Sequence, residues 1–144
     1  MELGWIENLH EITEKNTNFR TVLWTGENSQ VVCMSIQPGQ DIGEEVHPHV
    51  DQIIYFQNGP ATVYLAESEE TKKREVKVVD TGWTMIIPAG TWHNIVNTGK
   101  TSLQLYTVYA PKNHAPGTVH ITKADAIQDE ELNETVRLLD GLDP

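Results

Sequence analysis

With 144 residues and a formal net charge of −11, the chain is the size of one domain and can bury a core without cross-links. Its 21 acidic against 10 basic side chains argue against nucleic acid and an anionic membrane surface, both gripped through Lys and Arg, and disfavour a heavily phosphorylated substrate. The single cysteine, Cys33, sits in the apolar run Val31-Val-Cys-Met-Ser-Ile36 and reads as a buried, inert thiol with no disulfide partner. No stretch approaches the ~20 apolar residues of a membrane span, and Met1-Glu-Leu-Gly-Trp-Ile-Glu7 lacks the basic and apolar regions of a secretory leader, so the expected compartment is the cytoplasm.

Near the N-terminus, Ile6, Leu9 and Ile12 recur at intervals of three and suit either a helical turn or an irregular arm. From Phe19 to Ala110 the chain reads as short β-prone runs: Phe19-Trp24, Gln30-Gln37, Glu44-His49, Gln52-Gln57, Ala61-Ala66, Glu75-Val79, Thr84-Pro88, Trp92-Val96 and Ser102-Ala110. Turn-forming Gly, Asn, Asp and Pro residues separate them, which predicts an all-β sandwich or barrel over about residues 19–111. Lys72-Lys73-Arg74, bracketed by glutamates, reads as a solvated hairpin tip. After the Pro111-Gly117 loop, Thr122-Lys-Ala-Asp125 resembles a capping box. Leu132, Val136 and Leu139 then give a narrow apolar stripe, predicting one or two short helices within about 122–140, with Gly141 as a stop. One globular unit spanning 1–144 is expected.

The chemistry concentrates around His47 and His49. On a strand the two imidazoles project to one side while Pro48 points away, an arrangement that suits a metal ion or, equally, a solvated surface hairpin. Gln52 is out of phase with them, and a tight reversal at Val50-Asp51 would bring it opposite His49. His93 follows an apolar strand and the turn Pro88-Ala-Gly90, and supplies a third imidazole. If Gln52 and His93 point inward, Ile54, Phe56 and Ile95 do too, and these are the expected apolar walls of a substrate pocket. Glu44, Glu45 and Asp51 are expected to face solvent, and His114 and His120 to lie on the surface or in a lid. For Ser102-Ala110, either Leu103 and Leu105 or Gln104 and Tyr106 line the interior.

Gly82, Pro88, Gly90, His93 and Asn97 match in full the pattern G-x5-P-x-G-x2-H-x3-N, the second motif of the cupin superfamily, which the chain resembles over about residues 30–111. The first motif, G-x5-H-x-H-x3–4-E-x6-G, is met in part by His47, His49 and Gly59. Its opening glycine is displaced, at Gly43 or Gly39, and Gln52 stands in place of the glutamate with a short gap before it. The resemblance, closest to the small group named after mannose-6-phosphate isomerase, implies a double-stranded β-helix with a metal inside one end and pairing into a homodimer through the N-terminal segment. The expected centre is His47, His49, Gln52 and His93 around a divalent transition metal, with Zn, Fe, Mn, Ni and Cu all compatible with imidazole ligands. Gln52 either ligates through its carbonyl oxygen or contacts a substrate. With three imidazoles and a carboxamide the ion keeps a net charge near +2 and stays strongly Lewis acidic. The expected function is that of a metalloenzyme acting on a polar small molecule such as a sugar, sugar phosphate or keto acid. The alternatives are an Fe(II)-dependent dioxygenase and a non-catalytic metal-dependent binding domain.

Overall fold

Alternation of side chains builds the architecture. In β3 (Asp51–Phe56), β7 (Trp92–Asn97) and β8 (Leu103–Ala110) every second residue is buried, the period-two signature of strands with one face on a core. The computed structural model describes residues 3–68 and 74–142, with side chains of the last helix described as far as Leu132. The remaining elements are α1 (Leu9–Lys15), β1 (Arg20–Thr25), β2 (Gln30–Ile36), β4 (Ala61–Ala66), β5 (Arg74–Val79), β6 (Thr84–Ile87), β9 (Val119–His120) and α2 (Lys123–Leu142).

Two antiparallel sheets form, one ordered β6-β3-β8-β2-β1-β9 and the other β5-β4-β7. They close on a core that includes Phe19, Val32, Ile36, Ile54, Phe56, Val63, Met85, Ile87, Ile95, Leu103 and Leu105. The architecture is a double-stranded β-helix. Each large apolar side chain sequestered here contributes about 1.5–3 kcal/mol relative to exposure. β8 resolves its phase in favour of Leu103 and Leu105, with Gln104 and Tyr106 only half-buried on the outer face. Cys33 is fully buried, and desolvation pushes its thiol up to about 11, as an inert cysteine requires.

The ends carry helices. Asn8 caps α1, its side-chain oxygen accepting from the Glu11 amide at 3.0 Å, so the N-terminal spacing marks a helical turn, while Ile6 before it stays 97% exposed. Thr122 and Asp125 form the reciprocal cap of α2, each backbone N–H donating to the other's side chain at 3.2 Å. One helix follows and passes through Gly141, which is not the stop expected of it. Leu132 is exposed, and the side chains of Val136 and Leu139, like Lys72 and Lys73 of the hairpin tip, lie outside the described residues.

One expected strand is missing. Residues 44–49 form no ladder; the isolated bridge Glu45↔His93 ties them to β7, as Asp41↔Val96 does just ahead of the segment. Pro48 has no N–H to give a ladder, and Pro48-His49 form a turn instead. No hairpin forms at Val50-Asp51 either, because β3 pairs with β6 and β8 and not with the segment before it.

Candidate metal centre

The register of β3 against β8 grades the barrel interior from apolar to polar. Phe56 faces Leu105, Ile54 faces Thr107, and Gln52 faces Tyr109. On β7 the inward positions run from Asn97 through Ile95 to His93. Asn97 is structural: its amide donates to Ile36 O and Thr101 O at 2.8 Å, and its side-chain oxygen accepts from the Gly99 N–H at 2.9 Å.

At the polar end, ligand atoms of Glu45, His47 and His93 all lie within 4.8 Å of one another. Two backbone devices hold them. Glu45 and His93 exchange both main-chain hydrogen bonds at 2.9 Å. The turn after Pro88 places Gly90 at φ 82°, a left-handed conformation natural to glycine, and from there its N–H donates to the His47 carbonyl at 2.9 Å. The Glu45 carboxylate stands 3.5 Å from His47 Nε2 and 3.7 Å from His93 Nε2.

The protonation of His93 follows from its partner. Its Nδ1 lies 3.0 Å from Thr91 O, a carbonyl that only accepts, so Nδ1 carries the proton and Nε2 presents a lone pair. Burial, ahead of the raising effects of Thr91 and Glu45, holds the His93 pKa below the usual histidine value, so the ring is in its neutral, ligating form.

Whether these residues suit a metal is tested by their unmet hydrogen-bonding capacity. Buried polar atoms without partners are uncommon in folded proteins. Here His47 Nε2, His93 Nε2 and Gln52 Oε1 are all buried and unpartnered. Gln52 donates through Nε2 to Thr107 Oγ1 at 3.1 Å, which leaves its carbonyl oxygen as the free atom. Two imidazole nitrogens, a carboxylate and a carboxamide oxygen are a donor set that fits a divalent transition metal.

A family model for the cupin domain matches residues 32–109. The chain belongs to the cupin family. It is 46% identical to the uncharacterized protein YrkC of Bacillus subtilis, over 88% of this chain and 68% of that protein. Protein L612 of Acanthamoeba polyphaga mimivirus is 38% identical over 83% of this chain and 72% of its own length. Among solved structures, BH2720 of Bacillus halodurans superimposes with a TM-score of 0.83 at 44% identity, covering 86% of this chain and 93% of that one.

The cupin motif explains where the expected ligands fall. Glu45, expected to face solvent, is in the cluster. His49 is exposed in the turn with Pro48 and stands outside it, because a turn breaks the two-residue period that would have paired His49 with His47. Aligning Glu45 with the motif's first histidine removes both irregularities of spacing: Gly39-x5-Glu45-x-His47-x4-Gln52-x6-Gly59 has the regular intervals throughout. Gln52 is 3% exposed and points inward as expected. With Glu45 among the ligands, a divalent ion would retain a net charge near +1 rather than +2.

A cavity of about 990 Å³ opens beside this cupin centre, lined among others by Arg20, Glu45, His47, His114, His120 and Glu130. Ile54, Phe56 and Ile95 point inward but lie in the fully buried core and are not among the residues lining this cavity. His114 and His120, expected on the surface or in a lid, are drawn inside. Burial first, with the Arg20 guanidinium adding like charge, pushes His114 down to about 3. His120 is buried and bonds Asp129 at 2.9 Å. Burial likewise holds the Tyr109 phenol above its usual range, so it stays protonated beside the His47 ring, 5.8 Å away centroid to centroid.

Proposed function

We propose that this cupin is a metalloenzyme that binds one divalent transition metal through Glu45, His47, His93 and Gln52 and moves a proton on a polar small molecule held in the adjoining cavity. The observation carrying this reading is the cluster of Glu45, His47 and His93, in which both imidazole Nε2 atoms are buried and unpartnered, with the equally unpartnered Gln52 Oε1 as a further buried oxygen on β3. When bound, a divalent ion there would polarise a substrate oxygen and acidify the adjacent C–H or O–H.

The protein's own groups favour proton transfer, as in isomerisation of a sugar or keto acid, over oxygenation. His120, paired with Asp129, faces the same cavity as Glu130. The Glu130 carboxyl is held above the usual range, by burial first and by the charge of Glu45 second, which makes it a better proton acceptor than an ordinary carboxylate.

Metal content after purification and reconstitution tests the reading directly. About one equivalent per chain should be retained, and ion at 100 times its Kd should stabilise the fold by about 2.7 kcal/mol. Failure of zinc, manganese, iron, nickel and copper all to raise the melting temperature would defeat it.

A further inference from the structure

Arg20 is the outlier of the cavity. It is only 2% exposed, yet its Nε has no partner, and among the described residues no carboxylate lies within 4.0 Å of its guanidinium. Glu130 acts on it only at longer range, and a buried cation with no close anionic partner among the described residues is costly to maintain, by several kcal/mol for an ion taken out of water. Arginine's planar fork makes it a natural grip for a carboxylate.

The surroundings hold that fork in place without neutralising it. Arg20 and His120 are opposed across β1 and β9. Arg20 Nη1 lies 3.1 Å from His120 Nδ1, and since a guanidinium only donates, Nδ1 must be the acceptor. The His120 proton is then on Nε2, where it donates to Asp129 Oδ2 at 2.9 Å. The imidazole is thus a neutral spacer that orients Arg20 and keeps Asp129 at one remove. The unpaired Nε belongs to a side chain that lines the same cavity as Glu45 and His47.

We propose that Arg20 is the carboxylate-binding residue of this cavity, and that the ligand is a small organic acid whose carboxylate pairs with Arg20 while a second oxygen, hydroxyl or keto, reaches the metal centre. This narrows the substrate class of the function proposed above and rests on that reading for the role of the second oxygen only. Phosphorylated sugars fit less well, because a dianion would meet Glu45, Asp129 and Glu130 on the same walls.

The test uses the full chain, chelator-treated and metal-loaded in parallel, titrated with glycolate and with its uncharged amide, glycolamide. The Arg20 Nε–Hε resonance is followed by nitrogen-15 NMR and affinity by calorimetry. Glycolate should move the Nε–Hε signal downfield in both forms and glycolamide should not. Arg20→Met should weaken glycolate by on the order of 10- to 100-fold, the worth of a charged hydrogen bond, and Arg20→Lys should recover part of it. An Nε–Hε signal unmoved at saturating glycolate overturns the proposal, and that measurement needs no variant to fold. Equal glycolate affinity in a folded Arg20→Met protein overturns it as well. A downfield shift in protein that takes up no metal would support the Arg20 site while removing the metalloenzyme reading, so the two can fail separately.

Discussion

Substituting His114 should flatten the acid side of the stability curve. Its folded pKa is about 3 against an ordinary value of 6.5, so between those limits the unfolded chain carries a proton there that the folded protein lacks. Stability is then complete above pH 6.5 and declines as pH falls towards 3, at about 1.4 kcal/mol per unit. By pH 5 this one ring accounts for a loss of about 2 kcal/mol, and over the full span for about 5 kcal/mol. The burial of His93 acts in the same direction, so the loss in the natural protein should be at least that of His114. His114→Gln removes the titration while keeping a polar side chain near Tyr109 Oη, which His114 Nε2 approaches at 3.4 Å. Urea unfolding of the chelated protein at pH 7 and pH 5 measures the difference. The variant should lose about 2 kcal/mol less than the natural chain across that interval. Equal losses in the two proteins would refute the assignment of the acid sensitivity to this ring.

Zinc affinity should separate the ligands from their neighbour: Glu45→Ala or His47→Ala should cost more than about 100-fold, exceeding the effect of removing an outer-shell partner, whereas His49→Ala should change it by less than about 2-fold. A loss at His49 comparable to that at Glu45 would contradict the placement of His49 outside the cluster. Gln52→Glu adds a second carboxylate to the donor set and should tighten divalent metal while lowering its Lewis acidity, read as metal affinity rising as turnover falls. Ile54→Ala should cost about 2–5 kcal/mol by chemical denaturation with metal affinity nearly unchanged, since Ile54 belongs to the core and not to the cavity wall. If two copies pair through the N-terminal arm, Ile6→Asp at its 97% exposed position should shift sedimentation towards the monomer, and an unaltered profile would exclude the arm from the contact.

Strand positions were legible in the sequence because the runs are rich in β-prone residues and each gap holds a turn former; the edges of β3, β4 and β7 fall within a residue or two of those expected. His93 was legible because Pro88 and Gly90 mark the turn that delivers it. Glu45 was hidden by composition: beside Glu44, in a chain this acidic, a glutamate reads as solvated, and only the intervals from Gly39 to Gly59 distinguish it. Proline at 48 is the local sign that His49 does not share a strand with His47. Arg20 was beyond reach from local pattern, since it opens a strand with an ordinary alternation and meets its partner 100 positions away, at His120. The phase of β8 also needed the third dimension, because each of its faces mixes apolar and polar groups, Leu103, Leu105 and Thr107 on one and Gln104, Tyr106 and Val108 on the other, and only the core it covers chooses between them.

The two-way backbone pairing of Glu45 with His93 has an evolutionary consequence. An acid and an imidazole from distant segments are spaced by main chain, so the loops between them can lengthen, shorten or change sequence without disturbing the pair. The frame tolerates exchange at position 45 itself, since neither hydrogen bond depends on which side chain is attached. A lineage can therefore retune the charge at this end of the barrel by single substitutions at 45 or 52 while the scaffold around it stays inherited.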